Sequence, residues 1–203
     1  DQVLIVNDVY TVGKKAQSFK EEVKKLSYVK NATLSSFFPT PSARGDSTFA
    51  PEDGATDQER ALSMQRWSVD RDYIPTMGFE MIAGRNFDER FGNDSIGIII
   101  NESAVATIGL PPEEVIGTRY TPDLGQPDPR FFTVIGVVKD FHFSPFREDI
   151  EGLSLHLAND TGALAIKLHT QDFQNAIAGV QEIWSRLAPG QPFDYYFMDR
   201  KLL

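Results

Sequence analysis

The residues best suited to chemistry lie where an apolar stretch ends, in the segment GVVKDFHFSPF at 136–146. Asp140 and His142 are two residues apart, so on a continuing strand their side chains would share one face. A carboxylate beside an imidazole can orient the ring for general-base catalysis. A hydrolase also needs a nucleophile, and the chain has no cysteine and no Gly-x-Ser-x-Gly segment. We therefore favour a structural role, with Phe141 and Phe143 packing at the strand end, and keep an Asp140/His142 hydrolase as an alternative.

Other groups that could bind metal or phosphate form incomplete sets. The histidines His142, His156 and His169 lack the spacing of a zinc site on a helix. The acidic segments 86–94 and 123–130 lack the ligand series of an EF-hand, so we expect a solvated loop and a hairpin-like turn. No glycine-rich phosphate loop is present in the sequence. We expect no catalytic residue, no cofactor and no metal.

Composition limits the class of partner. The formal net charge of −9 argues against a nucleic-acid partner and against an anionic membrane surface, since both attract lysine and arginine clusters. The absence of cysteine excludes disulfides and thiolate metal sites. The sequence has no apolar run of the roughly 18–20 residues that a membrane-spanning helix needs. Both ends look as though the chain has been cut from a larger protein.

Each end of the chain shows the pattern strand, helix, strand. Strands are predicted at 3–8 and 28–38, around a helix with Ala16, Phe19 and Val23 on its apolar face. Near the other end, strands at 163–169 and 193–199 flank a second amphipathic helix with the stripe Phe173, Ile177, Val180, Trp184 and Leu187. Thr170 is the predicted N-cap of that helix, and Pro189 and Gly190 end it. Two such units can pair into one split α+β sheet of ferredoxin-like type.

The middle of the chain mixes strands and short helices. Residues 40–60 are rich in proline, glycine, serine and aspartate, and we expect an exposed loop there. After it the pattern predicts strands in ALSMQRWSV, FEMIAG, SIGIIIN and FFTVIGVV, and short helices in RDYIPTMG and ESAVATIG. The fold class is therefore α+β.

Four segments, taken in order, resemble one family. They are VDRDYIPTMGFEMIAGRNF at 69–87, IIINESAVATIGLPPEEVIGTRY at 98–120, FTVIGVVKDFHFSPFREDI at 132–150 and FDYYFMDRKL at 193–202. Together they are similar to the MacB-like periplasmic core domain of FtsX-like permeases in ABC transporters. Val115 departs from the family pattern, because it stands where a proline usually precedes Ile-Gly.

The resemblance implies a fold and a role. The fold would comprise a porter-like subdomain from 1–60 and 158–203 and an inserted mixed α/β subdomain at 61–157. The domain would lie on the periplasmic or extracytoplasmic face, anchored by flanking membrane helices, and it would be non-catalytic. Its partners would be those helices, a cytoplasmic ATPase, a second permease copy and a periplasmic protein or exported substrate. It would couple ATP hydrolysis to movement outside the membrane, which is called mechanotransmission.

The same resemblance implies structural roles for a set of residues. Gly84 and Arg85 would form a turn, Gly136 would permit close backbone approach, and Asn101 and Glu102 would cap a short helix. The full set is Gly84, Arg85, Asn101, Glu102, Gly117, Gly136, Asp140, Phe141 and His142. A second hypothesis remains, in which the chain is a stand-alone ligand-binding or sensor domain that uses the loop at 40–60.

Overall fold

The computed structural model describes residues 2–36, 46–54, 56–141, 151–158 and 162–198. Its strands are β1 (Gln2–Val6), β2 (Val29–Ser35), β3 (Asp46–Pro51), β4 (Leu62–Val69), β5 (Met81–Gly84), β6 (Gly97–Asn101), β7 (Arg119–Thr121), β8 (Phe132–Val138), β9 (Leu153–Leu157), β10 (Ala163–Leu168) and β11 (Tyr195–Phe197). Its α-helices are α1 (Lys15–Lys24), α2 (Tyr73–Met77), α3 (Glu102–Ile108), α4 (Pro112–Val115) and α5 (Phe173–Leu187). The architecture is therefore mixed, as expected for the α+β class.

Contacts divide the chain into two compact units. The terminal unit contains 1–38, 72–78 and 159–203, and the central unit contains 39–71 and 79–158. The subdomain boundaries expected from the sequence stay a prediction.

The sheet of the terminal unit is built from both ends of the chain. Its strand order is β11-β1-β10-β2, and each neighbouring pair is antiparallel. The sheet packs against α1 and α5, where the rings of Phe19 and Trp184 meet edge to face at 5.2 Å between centroids. The apolar stripes predicted for both helices therefore face one core, which also contains Leu4, Leu34, Leu164 and Ile166.

An ion pair joins two helices of the terminal unit. Lys20 of α1 donates to Asp72, the residue before α2, over 2.6 Å, and only 5% of the Lys20 side chain is exposed. Lys24 approaches the same carboxylate at 3.5 Å. Burial raises the pKa of Asp72, but the hydrogen bonds and charges of the two lysines outweigh it and leave that pKa below its ordinary value.

The sheet of the central unit closes on itself. Its strand order is β4-β3-β7-β8-β6-β9, and β9 pairs in parallel with β4 to complete the ring. β5 adds to β8 beyond the part that pairs with β7. The apolar core includes Phe49, Met64, Ile98, Ile100 and Val134, which come from β3, β4, β6 and β8.

Most predicted elements are confirmed, and two expectations are wrong. The stretch 40–60 is not simply an exposed loop, because its described part contains β3, in which Phe49 and Ala50 are fully buried. The N-cap of α5 is Asp172, whose carboxylate accepts from the Asn175 N–H at 3.1 Å, while the Thr170 hydroxyl oxygen accepts from the Asp172 N–H. The hairpin-like turn at 123–130 is confirmed, because it joins the antiparallel strands β7 and β8. In the part of the chain that the structure describes, no helix has the length and apolar character to cross a membrane.

Candidate functional site

Two glycines from different family-like segments face each other in the central unit. Gly84 of β5 pairs with Gly136 of β8. A Cβ atom on Gly136 would lie 2.5 Å from the Arg85 carbonyl oxygen, and one on Gly84 would collide with the Ile135 carbonyl oxygen. Gly84 also has a φ of 68°, a left-handed conformation that side chains disfavour. The backbones of β5 and β8 therefore lie closer together here than residues with a Cβ atom would allow.

The residue after Gly84 organises the loop that follows β5. The Arg85 guanidinium donates to both oxygens of Asp94 at 2.7 and 3.2 Å, and Asp94 also accepts from the Asp88 N–H. Asp94 is 2% exposed, so the expectation of a solvated loop is wrong for this carboxylate. Burial raises the pKa of Asp94, and the hydrogen bonds and charge of Arg85 outweigh it, which lowers that pKa overall. The Arg85 guanidinium also lies over the Phe91 ring at 3.7 Å.

The N-terminus of α3 is capped from two directions. The Asn101 side chain is the N-cap and accepts from the Ala104 N–H at 3.1 Å. Asp140, which follows β8, accepts from the Ser103 N–H at 2.9 Å and from the Ser103 hydroxyl at 2.7 Å. Glu102 is the first helical residue and is exposed. A negative side chain at a helix N-terminus is stabilised by the free N–H groups there. The hydrogen bonds of Asp140 therefore link the end of β8 to the start of α3.

The remaining residues of the predicted set are also placed by local packing. The Phe141 ring stacks on the Phe79 ring at 4.8 Å between centroids. Gly117 has a φ of 88°, and its N–H donates to the Val134 carbonyl at 2.8 Å. His142 lies outside the described residues. The described members of the set thus gather around β5, β8 and the start of α3. Among their polar side chains, Arg85 binds Asp94, Asn101 accepts from the backbone, and Asp140 binds Ser103.

A buried histidine was not singled out by its sequence. His156 is 4% exposed, lies between the rings of Phe49 and Phe132, and shares a 3.0 Å hydrogen bond with the Ser154 hydroxyl. No described residue hydrogen bonds its Nδ1 atom. Burial, and secondarily the charge of Arg66, lower the pKa of His156 to about 3. The His156 ring is therefore a neutral part of the core. The alternating leucines at 153–157 were the sequence feature from which a strand at this position could have been predicted.

A groove of about 680 Å³ opens on the central unit. One wall is the connection from β3 to β4, with Asp53, Glu59 and Arg60. The lining also includes Ile108 at the end of α3, Leu110 just after that helix, and Arg119 and Tyr120 of β7. Among the described residues, no group of three or more histidines, aspartates or glutamates could hold a metal ion.

Three solved structures share the fold of this chain. The periplasmic region of MacB from Actinobacillus actinomycetemcomitans has this fold, with a TM-score of 0.63 and 14% identity over 98% of this chain and 88% of that chain. The extracellular domain of the noncanonic ABC-type transporter YknZ from Gram-positive bacteria gives 0.62 and 13% over 98% of this chain and 100% of that chain. A domain assigned to a permease protein of Porphyromonas gingivalis gives 0.61 and 17% over 97% of this chain and 86% of that one.

These structures confirm the resemblance at the level of the fold. No protein-family model matches the sequence, and no curated protein matches it. The three structures share the fold with this chain at sequence identities of only 13–17%.

Proposed function

We propose that this chain is the extracytoplasmic domain of an ABC transporter permease. The observation that carries the proposal is the shared fold over 97–98% of the chain with the periplasmic region of MacB, the extracellular domain of an ABC-type transporter and a domain of a permease protein. The site geometry supports a non-catalytic role, because Asp140 binds the start of α3 through both carboxylate oxygens. In this role the domain is anchored by flanking membrane helices and works with a cytoplasmic ATPase and a second permease copy.

We further propose that ATP hydrolysis on the cytoplasmic side moves this domain, in the mode of FtsX-like mechanotransmission. The subdomains expected from the sequence, 1–60 with 158–203 as the porter-like part and 61–157 as the inserted part, would be the moving bodies. The antiparallel order β11-β1-β10-β2, with one helix after β1 and one after β10, supports a split β-α-β arrangement for the porter-like part. Exported substrate or a periplasmic protein would contact the domain from outside.

The stand-alone sensor hypothesis receives less support. It relied on the whole stretch 40–60 as an exposed binding loop, but Asp46–Pro51 of that stretch is a strand paired with β4 and β7. Exposed residues such as Glu52 and Glu59 remain in the connection that follows this strand. The permease role is therefore the preferred interpretation.

Cysteine labelling in the parent protein tests the location directly. The chain has no cysteine, so Glu89→Cys, at a side chain that is 82% exposed, introduces a single thiol into the domain. With cysteines elsewhere in the parent replaced by serine, a membrane-impermeant maleimide should label this thiol in intact cells, and the protein should fractionate with membranes. Ile99→Cys, at a fully buried side chain, is the control and should label only after denaturation. Labelling of Glu89→Cys only after lysis would refute the extracytoplasmic location.

The same substitution provides a readout of coupling. Spin labels at Glu89→Cys in two permease copies should give different distance distributions with ADP and with a trapped ATP analogue. Identical distributions in the two nucleotide states would refute coupling while leaving the location intact.

A further inference from the structure

Two exposed ion pairs lie in the lining of the groove of the central unit. The Arg60 guanidinium donates to both oxygens of Asp53 at 3.0 and 3.1 Å. Arg119 donates to Glu52 at 2.7 Å, next to the paired residues Pro51 and Tyr120 of β3 and β7. Both guanidinium groups thus already have carboxylate partners within the lining.

The lining carries an excess of negative charge. Its acidic residues are Glu52, Asp53 and Glu59, and its basic residues are Arg60 and Arg119. Of the residues that the structure describes, none forms an ion pair with Glu59, whose side chain is exposed. After the two ion pairs are formed, one carboxylate is therefore left to meet a cationic ligand.

The lining of the same groove also offers apolar surface. Leu110 is 40% exposed, a large fraction for a leucine, and Ile108 is half-buried next to it. Leu62 and Tyr120, which are 6% and 5% exposed, also line the groove. Scattered apolar residues are common on protein surfaces, but here the exposed leucine adjoins a concave lining with a carboxylate. The volume of about 680 Å³ lies within the range of ligand-binding clefts, roughly 300–1,000 Å³.

We infer that this groove binds a short polypeptide segment in which an apolar side chain is flanked by lysine or arginine. The apolar side chain would pack against Leu110 and Ile108, and the flanking cation would meet the Glu59 carboxylate. An acidic segment is disfavoured, because both arginines are already paired with Asp53 and Glu52. The inference goes beyond the proposed transporter role and holds for the chain whether or not that role is correct.

Fluorescence anisotropy with the 203-residue chain and a fluorescein-labelled Gly-Lys-Leu-Lys-Gly peptide tests the inference. We expect saturable binding that weakens as salt is added, since an exposed charge pair is screened. Leu110→Ser should weaken binding about tenfold, because a buried leucine contact is removed. Glu59→Gln should weaken it about two- to fivefold and reduce the dependence on salt.

Two exposed residues that do not line the groove provide matched controls. Ile96 is 47% exposed and the Glu89 side chain is 82% exposed, so Ile96→Ser and Glu89→Gln should leave the affinity unchanged. All four sites are on the surface, so we expect every variant to fold. The unfolding midpoint of each variant checks this. Three results would each overturn the inference. The first is that Gly-Glu-Leu-Glu-Gly binds as tightly as Gly-Lys-Leu-Lys-Gly, and the second is that Leu110→Ser and Glu59→Gln bind the lysine peptide as tightly as the wild-type chain. The third is no saturable binding up to about 2 mM peptide.

Discussion

At the residue scale, the contact between Gly84 and Gly136 makes the sharpest prediction. Gly136→Ala places a methyl group 2.5 Å from the Arg85 carbonyl oxygen, and backbone cannot move aside as a flexible side chain can. We expect the free energy of unfolding to fall by about 3 kcal/mol, as measured by urea denaturation. Gly92→Ala is the matched control, because no described atom beyond its chain neighbours lies within 4 Å of the place a Cβ would take, and it should change stability by less than about 0.5 kcal/mol. A stable Gly136→Ala protein would show that β5 and β8 can separate.

His156 makes a prediction about pH. Its pKa is about 3 in the folded chain and 6.5 when unperturbed, so between these values only the unfolded state binds the extra proton. Stability should therefore decrease as pH falls from 6.5 toward 3, and this residue should contribute about 1.4 kcal/mol per pH unit.

Urea unfolding at several pH values measures the contribution of His156 when variants are compared. The carboxylates titrate in every variant, so their contribution cancels in the comparison. His156→Gln should lose this part of the slope, whereas His169→Gln retains the buried ring and should keep the wild-type slope. If the two variants show the same dependence on pH, the proposed neutral core histidine is wrong.

At the element scale, the attachment of α2 to α1 depends on one buried charge. Asp72→Ala leaves the Lys20 ammonium, whose side chain is 5% exposed, without its 2.6 Å partner. Because Asp72 itself is partly exposed, we expect a loss of about 2 kcal/mol in the free energy of unfolding, below the roughly 3–5 kcal/mol of a fully buried pair.

Two further variants test whether the loss comes from breaking this ion pair. Lys20→Met combined with Asp72→Ala should restore most of the stability, since no buried charge remains. Glu22→Ala removes the exposed partner of Lys25 and should change stability by less than about 0.5 kcal/mol. A double variant as unstable as Asp72→Ala would assign the loss to packing.

The elements also show what periodicity could and could not predict. The strands β1, β6, β8 and β10 have nearly continuous apolar runs, so their type was evident. The strand β3 has the sequence DSTFAP, in which Phe49 and Ala50 supply the buried apolar side chains, and its pairing with β4 and β7 creates the strand. Tertiary pairing thus overrode local composition.

The candidate site was predictable to a different degree. Close approach at Gly136 and a cap at Asn101 were expected from the family resemblance. The Arg85–Asp94 pair was not, because its partners are nine residues apart in a loop whose charges looked uniformly solvated. Likewise, the hydrogen bond from Ser103 to Asp140 spans 37 residues, a separation that no local pattern encodes.

At the scale of the whole molecule, neither unit is a continuous piece of chain. The central unit needs 39–71 as well as 79–158, because β3 and β4 supply partners for β7 and β9. A fragment of residues 79–158 should therefore lack a cooperative unfolding transition and give poorly dispersed amide signals. A fragment of 39–158 retains every strand of the ring and should fold. Native-like spectra from the shorter fragment would show that the ring need not close.

The pairing of β1 has a consequence during synthesis on the ribosome. Its two neighbours in the sheet, β10 and β11, begin at Ala163 and Tyr195, far behind Val6 in order of translation. At about 5–20 residues per second, this largely apolar strand emerges on the order of ten to thirty seconds before either partner exists. Throughout that interval its backbone groups and its valine, leucine and isoleucine side chains are open to other nascent chains. We therefore expect a chaperone to protect β1 until β10 and β11 have been translated.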